Sequence, residues 1–125
     1  MTSRIIINGA HGKMGRLACE AIAKHNDFEL VAQLGRDDNL ENAIKQTKAH
    51  IVLELTNANC VFANSKTIIE NNIHPVIGAT GLSQKQIDIL QKQALVRKLG
   101  GIIAPMHRRD YKLVMYQYVV SISYH

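Results

Sequence analysis

The stretch IIINGAHGKMG, residues 5–15, decides the fold. Residues 5–7 read as a short strand, and residues 15–24 as a helix carrying Leu17, Ala18, Ala21 and Ile22 on one face. Between them Gly9, Gly12 and Gly15 recur at every third position. A glycine loop that follows a strand and opens a helix meets three physical needs at once: a sharp turn, a place where no Cβ obstructs a diphosphate, and close packing of helix on sheet. The free N–H groups of the first helical turn then point at an anion, aided by a dipole contribution of about 0.3 to 2 kcal/mol. Lys13 and Arg16 add positive charge at the same place. The alternative is a tight corner without a ligand, since a three-then-three glycine spacing is a weaker signal than the commonest dinucleotide fingerprint.

Outward from this corner, apolar runs and helical stretches alternate. Residues 30–34, 51–55, 75–77 and 102–104 read as strands, and residues 39–48, 63–71 and a segment opening at Ser83 read as helices. Ser83 with Gln86 three residues later fits a capping box, and Gly100 with Gly101 marks the end of that last helix. Residues 51–55 are apolar apart from Glu54, the mark of a strand buried on both faces. Such alternation predicts an α/β fold, a Rossmann-like doubly wound parallel sheet. After Pro105 the composition shifts, because Tyr111, Tyr116, Tyr118 and Tyr124 are the only tyrosines of the chain. We therefore expect a dinucleotide-binding domain over residues 1–105 and a divergent tail over 106–125. Residues 111–124 suit either an added strand or a loosely attached end.

A chain of 125 residues suits one domain. With 46% hydrophobic and 20% charged residues its composition is that of an ordinary globular protein, and no run approaches the ~18 apolar residues of a membrane span. The N-terminus has neither the length nor the cleavage site of a secretory leader, so the expectation is a cytoplasmic protein with no membrane partner. The net charge of +5 comes from scattered lysines and arginines, which suits an acidic small ligand and gives no reason to expect nucleic acid. Cys19 and Cys60 form no CxxC pair and keep no regular spacing to histidine, so no metal site and no disulfide are expected. Both read as small buried apolar residues.

The choice of nucleotide turns on a second position. Adenine dinucleotide sites commonly place an acidic residue about twenty positions past the glycine loop, on the ribose hydroxyls. Here that place falls on Gly35, followed by Arg36. Without a carboxylate there, the 2′-phosphate of NADP meets no like charge, and the Arg36 guanidinium can grip it as a fork. Asp37 and Asp38 follow at once and partly cancel that attraction. NADP is expected over NAD. A further glycine cluster, Gly78-Ala79-Thr80-Gly81, together with Thr56 and Ala104-Pro105, follows three other strands. Ligands of open parallel sheets sit beyond the carboxyl ends of the strands, so these turns are expected to line one crevice at the nicotinamide end.

Taken together, G-A-H-G-K-M-G-R at residues 9–16, E-L-T-N at 54–57, V-I-G-A-T-G-L at 76–82 and G-G-I-I-A-P at 100–105 resemble the nucleotide-binding domain of dihydrodipicolinate reductases. Order and spacing fit over residues 4–105, with Glu54, Leu55, Ala58 and Ala79 as conservative departures. The resemblance implies hydride transfer from NADH or NADPH to a cyclic dicarboxylate in bacterial lysine biosynthesis. It places the diphosphate on Gly9, Ala10, His11, Gly12, Lys13 and Met14, the adenosine ribose on Gly35 and Arg36, and the nicotinamide against Gly78, Ala79 and Thr80, near Ala104 and Pro105.

After Pro105 the likeness stops, and the chain reads Met-His-Arg-Arg-Asp-Tyr. The family substrate domain, with its proton donor and carboxylate-binding groups, has no counterpart among residues 106–125, so no catalytic residue is assigned. The expectation is cofactor binding without reductase turnover, with the dicarboxylate a partner only of full-length members. A non-catalytic nucleotide sensor or a degenerate fragment is the alternative. The family associates through the domain absent here, and a Tyr- and Val-rich tail is one route to a homo-oligomer.

Overall fold

Ile5, Ile6 and Ile7 are all completely buried, as a strand covered on both faces requires. They lie in β1 (Ser3–Asn8), which is followed by α1 (Lys13–Ala23), β2 (Phe28–Leu34), α2 (Leu40–Thr47), β3 (Ile51–Glu54), α3 (Val61–Glu70), β4 (His74–Ile77), α4 (Gln84–Val96) and β5 (Ile102–Ile103). The computed structural model describes residues 2–79 and 81–99 and the backbone of residues 102–103. The expected tail over 106–125, and Thr80, Ala104 and Pro105, lie outside the described residues.

The five strands form one parallel sheet in the order β2-β1-β3-β4-β5. Register pairs Ile5 with Ile51, Ile6 with Val52 and Ile7 with Leu53, so alternate side chains enter two different cores. Ile5, Ile7, Ile51 and Leu53 pack with Ala18, Ala21 and Ile22 of α1. Ile6 and Val52 point the other way, onto Leu40 and Ile44 of α2 and Ile68 of α3. On that second side Ile77 meets Val61 and Ile69 of α3 and Leu90 and Ala94 of α4. The sheet is thus doubly wound, with α1 on one face and α2, α3 and α4 on the other. From β1 the chain runs outward to β2, then crosses back to place β3 on the opposite side of β1. That reversal makes the gap above β1 and β3 the topological switch point.

Helix starts follow the residues available to cap them. Asn39 accepts the Asn42 N–H at 2.9 Å before α2, and Ser83 with Gln86 forms the full capping box before α4. α1 begins at Lys13 rather than at Gly15, because Gly12 takes the extended N-cap backbone (φ −75°, ψ 174°) and its carbonyl already accepts from Arg16. α3 begins at Val61, two residues before the expected start, since a turn closed by Asn57 on Cys60 winds straight into the helix.

Helix ends differ more. α4 stops at Val96, well short of Gly100. Lys98 adopts a left-handed backbone (φ 57°), and the Leu99 N–H closes onto the Ala94 carbonyl at 2.8 Å. Lys48 (φ 53°) after α2 and Asn72 (φ 60°) after α3 terminate their helices in the same left-handed region without a glycine. At the amino edge of the sheet Arg4 pins α2: its Nε and Nη2 donate to the Thr47 carbonyl at 2.9 and 2.7 Å, and Nη1 pairs with Glu29 at 3.1 Å. A cation on the last carbonyls of a helix also offsets its dipole.

Candidate functional site

Above the switch point lies a crevice of about 450 Å³. Its first wall is the corner between β1 and α1, with Asn8, Gly9, His11 and Gly12 lining it. The three glycines divide the work. Gly9 turns the chain at φ +83°, and a Cβ there would stand 2.5 Å from the Leu55 carbonyl oxygen, closer than packed atoms allow. Gly15 lets α1 seat on the loop, since a Cβ would stand 1.9 Å from the Gly9 oxygen. Gly12 is different. Among the described residues a Cβ there would find only the Gly9 oxygen at an ordinary 3.6 Å, and its φ suits any residue, so nothing described around it requires glycine.

The backbone donors of this corner are also divided. Gly9 and Ala10 spend their N–H groups on the Leu34 carbonyl, at 3.0 and 2.9 Å, and Gly12 N–H reaches the Gly9 oxygen at 3.3 Å. Lys13 and Met14, in the first turn of α1, have no backbone acceptor among the described residues. That turn carries no acidic side chain and α1 has no side-chain cap, which leaves its positive end open. Ala10 is buried and Met14 packs against the core on the α1 side of the sheet, and neither they nor Lys13 lines the crevice.

The second wall is the turn after β2. Gly35, Arg36 and Asp38 line the crevice. Asp38 Oδ2 accepts the Gly35 N–H at 2.7 Å. The His11 ring lies over Gly35, where a Cβ would approach its Cδ2 to 2.6 Å, so a larger residue at 35 displaces the imidazole. Arg36 is exposed and forms no ion pair among the described residues.

The floor comes from β3 and α3: Leu55, Thr56, Asn57, Cys60 and Asn64 line it. Beneath them Glu54 is completely buried. Asn8 Nδ2 donates to its Oε1 at 2.7 Å, while Thr56 Oγ1 and Asn64 Nδ2 donate to Oε2, the latter at 3.1 Å. Burial pushes the Glu54 carboxyl above its ordinary value, and these hydrogen bonds from Thr56, Asn64 and Asn8 pull partly the other way.

Cys60 corrects an expectation. It is exposed at the N-cap of α3, on the crevice, because the turn from Asn57 carries its side chain away from the core. Cys19 is half-buried against the α1 side, and burial raises its thiol pKa. On the far side, and against expectation, neither Gly78, buried just past β4, nor Ala79, packed against the core between β4, α3 and α4, lines the crevice. The sequence alone gives no reason to place Asp38 and Asn64 in the site, whereas Asn8, adjoining the first glycine, carries a local signal. Among the described residues no three metal-ligating side chains gather, and no helix is long and apolar enough to cross a membrane.

Strand order, switch-point crevice and glycine corner together define a Rossmann-like α/β domain. Residues 3–106 match the family described as "Dihydrodipicolinate reductase, N-terminus", and the chain belongs to that family. It is 55% identical over 105 residues to the 4-hydroxy-tetrahydrodipicolinate reductase of Legionella pneumophila (strain Philadelphia 1), covering 84% of this chain and 43% of that protein. The same-named protein of Coxiella burnetii (strain Dugway 5J108-111) is 46% identical, with 84% and 44% covered. The dipicolinate-bound dihydrodipicolinate reductase from Paenisporosarcina sp. TG-14 superposes with a TM-score of 0.79 at 33% identity, over 84% of this chain and 48% of that one. The chain thus spans less than half the length of these relatives.

Proposed function

We propose that this chain holds a nicotinamide dinucleotide in the switch-point crevice, as the cofactor half of a 4-hydroxy-tetrahydrodipicolinate reductase of lysine and diaminopimelate biosynthesis. The observation that carries this is Gly12. Ser, Asp and Asn rank a little above Gly at an N-cap, and here the backbone and the space at the Cβ position would admit a side chain. A side chain at that point would stand where an anion approaches the Lys13 and Met14 amides, so the glycine answers to a ligand rather than to the fold. The open positive end of α1 fits a diphosphate.

In this reading Gly9, His11 and Gly12 border the diphosphate, whose oxygens take the N–H groups of Lys13 and Met14. Gly35 and Arg36 receive the adenosine ribose. NADPH is favoured over NADH, because the Arg36 guanidinium is unpaired among the described residues while Asp38 is engaged by the Gly35 amide. The nicotinamide then extends toward the loop after β4, with Gly78, Ala79 and Thr80, and toward Ala104 and Pro105. When bound, the cofactor supplies a hydride. Transfer also needs an acceptor held about 3–3.5 Å from the reacting carbon and a group to deliver a proton. Neither is assigned within residues 1–105, and residues 106–125 match no such segment. In this reading residues 1–105 supply the cofactor half of that reaction.

Calorimetric titration with NADPH and NADH, paired with an amide chemical-shift map, tests the reading. Saturable binding that moves the Lys13 and Met14 amides is expected. Binding that leaves those amides unmoved, or no binding by either coenzyme, overturns it.

A further inference from the structure

Glu54 does not line the crevice, yet Thr56 and Asn64 of its floor and Asn8 beside it are tied to it. Three donors converge on the carboxyl from three parts of the fold: Asn8 at the end of β1, Thr56 just past β3 and Asn64 in α3. A carboxylate accepts and cannot donate, and a hydroxyl has a single proton. The Thr56 proton is therefore committed to Glu54, and its oxygen keeps only lone pairs. One of those is met by Asn64 Nδ2 at 3.4 Å. The Asn64 amide nitrogen faces Glu54 and Thr56 together, so its carbonyl oxygen is the group left over. Asn8 is oriented likewise, with its nitrogen on Glu54 Oε1. An amide turned the other way would set its oxygen against the carboxylate, which fixes the assignment.

We infer that Glu54 sets the hydrogen-bond polarity of the crevice floor: by drawing the protons of Thr56, Asn64 and Asn8 inward it leaves acceptor oxygens facing the ligand, and this floor receives hydrogen-bond donors of the bound dinucleotide, ribose hydroxyls or an amide N–H2, rather than its phosphates. The inference rests on the dinucleotide reading above and adds to it a division of the crevice. The α1 corner offers donors to the phosphates, and the β3–α3 floor offers acceptors to the sugar or amide groups. Glu54 is a positioning residue, since it acts through Thr56, Asn64 and Asn8 and does not itself line the crevice.

The test compares wild type, Glu54→Gln, Thr56→Val and Thr56→Ser of the full chain by calorimetry with NADPH and with ADP, with a thermal melt of each variant. Glu54→Gln turns an amide donor into the network and disturbs the outward polarity. Thr56→Val removes the acceptor itself, whereas Thr56→Ser keeps the hydroxyl. NADPH affinity is expected to fall about 3- to 10-fold in both Glu54→Gln and Thr56→Val, the effect of one lost hydrogen bond, and to stay near wild type in Thr56→Ser. A loss shared by ADP places the donor on the adenosine half, and a loss confined to NADPH places it on the nicotinamide half. Unchanged affinity in Glu54→Gln or in Thr56→Val overturns the inference, as does a Thr56→Val loss that Thr56→Ser shares in full. Should Glu54→Gln not fold, the Thr56 pair still decides the outcome. Wild type that binds neither ligand overturns the dinucleotide reading and this inference with it, whereas failure confined to the variants' ratios overturns this inference alone.

Discussion

Replacing Gly12 with aspartate should separate stability from binding, and in opposite directions. The N-cap backbone at Gly12 is already extended, and the nearest described atom to a new Cβ is the Gly9 oxygen at 3.6 Å, so the Cβ of Gly12→Asp meets no obstruction. Its carboxylate gains the first-turn N–H groups that α1 now leaves uncapped. Going from glycine to a capping residue is worth a few tenths of a kcal/mol, and a negative charge at a helix start adds about 0.3–1 kcal/mol. The stability gain is therefore about 0.5–1 kcal/mol, or roughly 2–6 °C in Tm for a domain of this size. Binding moves the other way, because the new carboxylate occupies the diphosphate's place. Two like charges about 4 Å apart repel by about 1 kcal/mol in water and about 4 kcal/mol near a protein surface. NADPH affinity should fall at least about tenfold, and by more at low salt. Thermal melting and calorimetric titration of the same preparations check both halves. A Gly12→Asp variant that melts at or above wild type and still binds NADPH as tightly would refute the argument that this glycine serves a ligand. A variant that binds poorly because it melts well below wild type would refute the claim that the fold does not need it.

Four further outcomes are expected. Gly15→Ala forces a Cβ to within 1.9 Å of the Gly9 oxygen, so despite the better helix propensity of alanine it should lose about 2 kcal/mol or more by denaturant unfolding; an unchanged midpoint would show that α1 can lift off the loop freely. Arg36→Ala should weaken NADPH about tenfold and NADH by less than about twofold, and an equal loss for both would remove Arg36 from the 2′-phosphate. Cys60 lies exposed on the crevice, so NADPH at about ten times its Kd should slow iodoacetamide alkylation about tenfold by mass action, and a protection-free rate would place the ligand elsewhere. Burial holds the folded Glu54 pKa above its unfolded value, so the folded state keeps the proton longer; its contribution to stability is full below the ordinary carboxylate range and is lost as pH rises through the raised pKa. The Tm of wild type relative to Glu54→Gln should therefore decline as pH rises from that range upward, and a difference constant with pH would show that the hydrogen bonds from Thr56, Asn64 and Asn8 offset its burial in full.

Much of the architecture is legible residue by residue. The runs at 5–7 and 51–55 announce strands buried on both faces because every side chain is apolar whichever way it points, Glu54 excepted. Ser83 with Gln86 marks the start of α4 because a capping box is satisfied within four residues. Helix ends are harder to read. A glycine signals a left-handed terminus, and α2, α3 and α4 close instead on Lys48, Asn72 and Lys98, where backbone hydrogen bonds outweigh the steric cost of a Cβ. The exposure of Cys60 is hidden in the same way, since its residue type favours burial while its turn carries it outward.

What the sequence by itself determined was the local chemistry of one corner: a strand, a turn and a helix start that follow from neighbours within about ten residues and need no distant partner. The doubly wound sheet followed from repeating that pattern. Only the tertiary structure decided why Gly9 must be a glycine, because the Leu55 carbonyl that crowds it is brought from another strand. It alone joined Asn8 to Glu54 across 46 residues and set His11 over Gly35. Hydrogen bonds and close contacts act through space over a few ångströms, and chain proximity cannot reveal a partner that folding delivers from another strand.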